Sequence, residues 1–385
     1  MPWNDLANNQ TVSFTNLKDA VDLGYFAPKT SIPISNEQVT KDDVNTYVWV
    51  NTLFGPFASK AGNQLVVKSN LECINLVINS IGLLWSGIAN NQTTSSPVQL
   101  LAGWLFSNDD GIIYRSTDYG QNYSSVLTIN QRLYKIKYLP AFRHASYLTV
   151  IPFVAVGEGG RIVTNVNADC TTFITVGAPT SQDLYDIAFN SSQAVIVGDN
   201  RIIKTTTANR ISSWTIVNSF ATIWRAVASN GSIFVAVGDN SSIITGDSAG
   251  TTWTVRSMPP LAPSTVSLRG VTYHSDGYFY AVGNTATGTP YTMRSSNNGV
   301  TWELYAPIQE DLFSGILQTI ESIGGRLVIG GFNYQYQILN NTVTRCGANT
   351  GGISMRWYSI VKEATSTNGF DMAGFNGQYG GYANF

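Results

Sequence analysis

The feature that most limits the fold is a recurrence. The stretch Phe234 to Val255 reads FVAVGDNSSIITGDSAGTTWTV. An alternating apolar run closes on Gly238, a short polar turn follows, and a second run covers Ile243 to Thr245. A glycine-containing turn then leads to Trp253. Alone, this is two strands and a hairpin. The same arrangement returns as LLAGW at Gly103, FVAVGEGG at Gly157, AVIVGDN at Gly198, FVAVGDN at Gly238, YFYAVGN at Gly283, RLVIGGFN at Gly330 and FDMAGFNG at Gly374. The intervals are 54, 41, 40, 45, 47 and 44 residues. One Val-Gly pair carries no information, but seven in order at nearly constant spacing define a structural repeat.

Each unit adds an earlier strand, as at Tyr134 to Tyr138, Leu184 to Phe189, Ile223 to Ala228 and Leu268 to Tyr273. A third strand follows the glycine, as at Arg161 to Thr164 and Arg201 to Thr205. A fourth begins near an aromatic: Tyr123, Phe173, Trp214, Trp253 or Trp302. Four short strands per repeat, separated by turn signals, are the signature of a propeller blade. The Val/Ile/Thr/Tyr-rich alternation disfavours a helical solenoid. The last unit supplies three strands, and Leu83 to Ala89 serves the first unit. Leu71 to Asn79, LECINLVIN, is then left over as the missing outer strand of the last unit. Such closure removes exposed edges. The expectation is an all-β, seven-bladed β-propeller over residues 71–385, with four-stranded blades closed by strands from both ends.

Residues 1–70 differ and are read as a small α/β N-terminal attachment module. Asn16 to Leu23 suits a short helix ended by Gly24. Thr40 suits the N-cap of a second helix, with Asp42 and Asp43 in its first turn. Asn63 to Ser69 reads as a strand.

Hydrophobic residues make up 43% of the chain and charged residues 12%, so Asn, Ser, Thr, Gln, Gly and Tyr must cover the surface. That suits a rigid all-β protein displayed outside a cell or on a particle. The formal charge is −2 with no basic block, which argues against a nucleic-acid partner. Two histidines and no metal-ligand spacing argue against a metal or other cofactor. The three cysteines, Cys73, Cys170 and Cys346, read as buried apolar residues. No secretory signal and no apolar run near the roughly 20 residues of a membrane span are visible, so no membrane partner is expected.

Between third and fourth strands the chain reads STDYGQNY from Ser116, SSNNGVTW from Ser295 and, stretched, TGDSAGTTW from Thr245. These resemble the Asp-box, S-x-D-x-G-x-x-W, of sialidase-type and photosystem-assembly-factor-like propellers. Asp118, Gly120, Asp247, Trp253, Gly299 and Trp302 match it, while Asn297 departs at the Asp position. The resemblance implies a structural hairpin, since the motif lies away from the active centre in that family. A sialidase would also bring three arginines, a Tyr–Glu pair and an acid Asp together. The R-I-P motif is absent, and Arg161, Arg201 and Arg326 recur as repeat positions. No catalytic residues are assigned. A glycan hydrolase with paired carboxylates remains the enzymatic alternative.

After the glycine strands come Asp109, Asp110, Glu158, Asp199, Asp239, Asn284 and Asn333. In a propeller these turns share one face. Two readings stand: a polar ring that binds a cation or sugar hydroxyls, or residues that tight turns simply need. Aromatics near that face, such as Trp104, Phe332 and Tyr334, would favour sugar.

The N-terminal stretch FTNLKDAVDLGYFAPKTSIPISNEQVTKDDVNTYV, followed by SKAGNQLVVKSNL, resembles an N-terminal module of virion structural proteins from phages of Bacteroidetes hosts. The shared elements are F-x-x-L-x-x-A-V, I-P-x-S-N-x-x-(I/V)-T-K and Q-L-V-V-K-S. The resemblance covers under a fifth of the chain. It implies a non-enzymatic virion protein made without an export signal. Its N-terminal module would contact other virion proteins, and its propeller would bind a host-surface glycan or protein or decorate tail or capsid, with oligomers allowed. A cellular propeller that scaffolds protein assembly is the further alternative.

Overall fold

A computed structural model describes residues 110–116, 124–260, 262–263, 265–305 and 316–332 as continuous stretches. It also describes the strands Thr11–Val12, Val39–Thr40, Ala58–Ala61, Gln64–Val67, Leu76–Asn79, Trp85–Asn90, Trp104–Asn108, Tyr334–Leu339, Thr342–Ala348, Trp357–Lys362, Phe370–Gly374 and Gln378–Tyr382. The helices expected at Asn16 to Leu23 and after Thr40 lie outside the described residues. Thr40 itself sits in a strand, with Val39–Thr40 paired to Thr11–Val12. All four of those residues are β-branched, a composition that favours pairing over a helical cap. Ala58–Ala61 pairs with Gln64–Val67, within the strand expected at Asn63 to Ser69.

Among the described residues, six antiparallel sheets are built from four consecutive strands each. Sheet one is Trp85–Asn90, Trp104–Asn108, Ile112–Ser116 and Ser124–Thr128. Sheet two is Leu133–Tyr138, Phe153–Gly157, Ile162–Asn165 and Phe173–Val176. Sheet three is Leu184–Phe189, Ala194–Gly198, Arg201–Thr205 and Trp214–Asn218. Sheet four is Trp224–Ser229, Phe234–Gly238, Ser242–Gly246 and Trp253–Arg256. Sheet five is Val266–Tyr273, Phe279–Thr285, Pro290–Ser295 and Glu303–Leu304. Sheet six is Leu317–Ile323, Arg326–Gly331, Tyr334–Leu339 and Thr342–Ala348. A further sheet joins Trp357–Lys362, Phe370–Gly374 and Gln378–Tyr382 to Leu76–Asn79, with Tyr379 opposite Ile78 and Gly380 opposite Val77. First strands of successive sheets pack side by side, and Trp357–Lys362 packs on Trp85–Asn90.

The core lies between sheets. The second strands of sheets two, three and four are buried at every residue. A strand covered on both faces has no reason to alternate, which explains the unbroken apolar runs. One cluster joins Val154, Val156 and Ile162 of sheet two to Ile187, Ile196 and Trp214 of sheet three. Another joins Val195 and Ile202 to Phe234, Ile244 and Trp253 of sheet four.

The repeating glycine has a local cause. A Cβ at Gly157, Gly198, Gly238 or Gly283 would lie under 3.0 Å from the carbonyl oxygen of Arg132, Asp183, Ile223 or Ser267, the residue just before the one opposite each glycine. The register corrects two positions. In sheet six, Gly331 rather than Gly330 faces Leu317 and approaches the Ile316 carbonyl. In sheet one, Asn108 rather than Gly103 takes this place, opposite Trp85. Gly238→Ala is expected to destabilise by about 1–3 kcal/mol, because the added methyl meets rigid backbone. Exposed Gly177, where a Cβ meets nothing within 4 Å, should accept Ala within about 0.5 kcal/mol. Urea unfolding of the two variants measures the difference.

The turns between third and fourth strands seat one sheet on the preceding one. The Asp247 carboxylate accepts the N–H groups of Thr251 (2.7 Å) and Thr252 (3.2 Å). Asn297 accepts the Thr301 N–H at 2.9 Å, so the role needs an acceptor rather than a charge. Asn167 accepts from Thr172 at 3.1 Å in the same way. The indole N–H groups of Trp253 and Trp302 donate to the Gly250 and Gly299 carbonyls, both at 3.0 Å. Gly250 (φ +64°) presses on Val195, and Gly299 (φ +76°) on Val235 and Thr245, all in the preceding sheet. Cys170 takes the place of Gly250 in sheet two, at φ 55°. It is buried, and burial pushes its thiol up to about 12, which makes it unreactive. Asp118 and Gly120 lie outside the described residues.

Candidate functional site

The first strands of all seven sheets share one irregularity. Directly after the residue opposite the glycine position, one residue drops out of register. The dropped residues are Ser86, Tyr134, Tyr185, Arg225, Arg269, Gln318 and Tyr358. Such a bulge re-aims a side chain out of the ladder. Tyr134, Tyr185, Arg225, Arg269 and Gln318 are each half-buried, while the residues on either side of each are buried. The bulge sits where the first strand starts, beside the end of the second. It therefore shares a face with the turns between second and third strands.

In sheets two to four these side chains touch in sequence. The rings of Tyr134 and Tyr185 lie 4.9 Å apart. The Arg225 guanidinium lies 5.0 Å over the Tyr185 ring, and Arg132 lies 5.8 Å over the Tyr134 ring. Cation–π contacts of this kind contribute about 0.5–2 kcal/mol each. Carboxylates fix the ends. Asp239 accepts from Arg225 at Nη2 (2.7 Å) and Nε (3.2 Å). Asp183 accepts the Tyr134 hydroxyl at 3.1 Å and the Gly159 N–H at 2.9 Å. Burial, followed by the Asp183 charge, raises the Tyr134 pKa, and burial also raises that of Tyr185. Both phenols remain protonated donors at neutral pH. The arrangement presents flat cations, ring edges and fixed hydroxyls along one mouth.

The turn residues singled out from the sequence are placed on this face but do different work. Asp239 is committed to Arg225. Glu158 accepts the Arg132 N–H at 3.3 Å, and Asp199 accepts the Asn200 side-chain amide at 2.9 Å. Asn284 is buried; it accepts the Leu317 N–H of the next sheet at 2.9 Å and donates to the Gly288 carbonyl at 3.2 Å. Asp110 is exposed and near Asn108, with 3.4 Å between Asp110 Oδ2 and Asn108 Nδ2. Asp109 and Asn333 lie outside the described residues. Trp104 starts a second strand and so sits at the opposite face. The recurrent arginines bond within or beside their own sheets: Arg161 to Gln131, Arg201 to the Asn200 carbonyl and Arg326 to Gln337. Among the described residues, no group of three or more His, Cys, Asp or Glu is placed to hold a metal ion.

The sequence reading missed Tyr134, Tyr185, Arg225 and Asp183. Aligning first strands on the residue opposite the glycine would have exposed them. The pairs Leu-Tyr, Leu-Tyr, Trp-Arg, Leu-Arg and Leu-Gln place large polar groups at one column.

The opposite face carries His274. Its Nδ1 lies 2.7 Å from Ser322 Oγ in the next sheet, and its ring meets Tyr280 edge-on. Burial lowers its pKa below 6.5, opposed by the Asp276 charge. A folded-state value below the unfolded one gives stability that is fully present above pH 6.5 and is lost as pH falls through the folded value. Thermal midpoints should therefore drop between about pH 6.5 and 5. His274→Gln should flatten part of that drop; His144, also lowered by burial, contributes the rest.

No family model and no curated protein matches this sequence. Among solved structures, that of YCF48 bound to D1 peptide is similar, with 13% identity and a TM-score of 0.59. The match covers 82% of this chain and 96% of that chain. At this identity the likeness is one of fold, and this chain has the β-propeller fold.

Proposed function

We propose that this chain is a non-enzymatic scaffold propeller that binds an extended segment of another protein across the mouth lined by Arg132, Tyr134, Tyr185 and Arg225. The observation that carries the reading is the contiguous stack of those four side chains at a bulge repeated in every sheet. Tyr and Arg dominate protein–protein hot spots because they offer large flat area with polar edges. Each Tyr ring in the stack already has a second ring and a guanidinium against it. Edges and hydroxyls are left for a ligand, which suits peptide groups better than stacking on a sugar. A propeller of the same fold, YCF48, was solved bound to D1 peptide. The fold reading that accompanies this is seven blades over residues 71–385, closed by Leu76–Asn79, with residues 1–70 as an attachment module. It rests on the pairing of that strand with Gln378–Tyr382.

Pure protein applied to a peptide array is expected to bind a subset of sequences. Tyr185→Ala with Arg225→Ala should weaken those signals at least about 100-fold, the loss of two hot-spot residues. Signals untouched by the double variant, or binding on a glycan array alone, contradict the reading. Release of reducing sugar from an envelope polysaccharide would replace it with the hydrolase alternative.

A second reading is favoured by the N-terminal motifs alone: a virion component that meets other virion proteins through residues 1–70. It predicts the chain in purified particles and its loss from them when those residues are removed.

A further inference from the structure

The face opposite the mouth carries a long, well-anchored loop. The connection between the first and second strands of sheet two runs over residues 139–152. The same connection takes only residues 190–193 in sheet three, 230–233 in sheet four and 324–325 in sheet six. Ordering the extra residues costs conformational entropy, and loops of this length in a compact domain are often functional.

The loop is fixed to the third-to-fourth strand turn of sheet three. Phe142 is fully buried and meets the Phe189 ring edge-on, with centroids 6.0 Å apart. The Arg143 N–H donates to the Asn209 carbonyl at 3.0 Å, and the Ile211 N–H donates to the Arg143 carbonyl at 3.1 Å. The Ala145 N–H donates to Ser212 Oγ at 2.6 Å, and the Asn209 side-chain amide donates to the Ala141 carbonyl at 3.1 Å. At the tip, the Tyr147 N–H closes a turn onto the His144 carbonyl at 3.1 Å.

This anchoring makes Arg143 and Arg210 parallel backbone partners, so two positive side chains leave one side of the pair. Like charges at paired positions repel. Neither arginine has a carboxylate within ion-pair distance among the described residues. The Arg143 guanidinium donates to the Pro140 and Phe142 carbonyls, which orders the loop and leaves its charge in place. The Arg210 side chain makes no hydrogen bond with a described residue. Beside them, Tyr147 is half-buried and Leu148 is 56% exposed.

We propose that this loop and the Arg210 turn form a second docking surface, for an acidic segment of a partner protein that also carries an apolar side chain. Carboxylates of the segment meet Arg143 and Arg210 and offset their repulsion. Its apolar side chain covers Leu148 next to Tyr147, and Tyr and Arg are the residues enriched at protein interfaces. A nucleic acid fits less well, because two arginines on a chain of formal charge −2 neutralise few phosphates. This inference does not depend on what the mouth binds.

The full chain applied to an array of random peptides, with single-stranded DNA and phosphatidylserine vesicles as separate probes, tests the surface. Wild-type protein should bind a set of peptides that combine Asp or Glu with an apolar residue, and bind them more weakly as salt rises. Arg210→Ala and Leu148→Ser should each weaken that set at least about tenfold, as for hot-spot residues. Arg210→Lys keeps the charge and should bind within threefold of wild type. Urea midpoints of all three variants should match wild type, which separates lost docking from lost folding. Tyr185→Ala with Arg225→Ala should leave this set within threefold, which separates the surface from the mouth. The proposal is overturned if no such peptides bind, if the set binds either Arg210→Ala or Leu148→Ser as it binds wild type, or if DNA or vesicles bind in place of the peptides.

Discussion

Asp186→Ala is expected to cost about 3–5 kcal/mol, the scale for removing one partner from a buried charge network. The side chain joins three consecutive sheets. It sits in sheet three, accepts the Val227 N–H of sheet four and faces the Lys137 ammonium of sheet two. Alanine would orphan the Ile187 and Val227 N–H groups in a buried setting. It would also leave the Lys137 ammonium without the carboxylate it faces. Asp186→Asn keeps one acceptor and the shape, so its loss should be roughly half as large, in line with a charged hydrogen bond replaced by a neutral one. Denaturant unfolding of both variants measures the two losses. Equal stability of wild type and the Ala variant would show that the sheets are not joined through this carboxylate. The double variant Asp186→Ala with Lys137→Met should recover part of the loss, because it removes both members of the pair.

The blade repeat was legible because its cause is local. In sheets two to six a carbonyl oxygen just before the residue opposite the glycine leaves no room for a Cβ across the strand pair, and this marks the sequence with a glycine at a nearly regular interval. The ruler slipped where another residue met the same need. In sheet one, buried Asn108 stands there and its side chain accepts the Ile112 N–H at 2.7 Å, closing the turn itself. In sheet six two adjacent glycines offer the same signal, and only the pairing with Leu317 chooses Gly331. The Asp-box turns were legible for the same reason, since their bonds run within a few residues. Asn297 and Asn167 were harder to read because chemistry, not residue identity, is what the turn requires.

The mouth was not legible from one strand at a time. A bulge breaks the period of two, so Tyr134 and Arg225 fall out of step with the alternation that marks core from surface. Their partners come from other segments: Asp183 from the chain entering the next sheet, Asp239 from a turn on the same sheet. The acidic turn residues read from the sequence share the face, yet the contacts that organise it are aromatic and cationic. Asp186 shows the limit most plainly: its partners Lys137 and Val227 lie 49 and 41 positions away along the chain, in the sheets on either side.

A ring closed by Leu76–Asn79, as proposed, has a large consequence. Leu76–Asn79 covers the edge of Gln378–Tyr382. Without it the last sheet would keep three strands and an open edge beside the first sheet. A ring whose sheets are stabilised mainly by their neighbours should then lose the contacts of both flanking sheets along with the strand. The most direct measurement is urea unfolding of the chain with residues 71–80 deleted, followed by circular dichroism and intrinsic fluorescence together. If the ring closes this way, the deletion variant shows no single cooperative transition and loses most of the roughly 5–15 kcal/mol typical of a folded domain. A deletion variant that unfolds in one transition, with the midpoint and slope of the full chain, would contradict it.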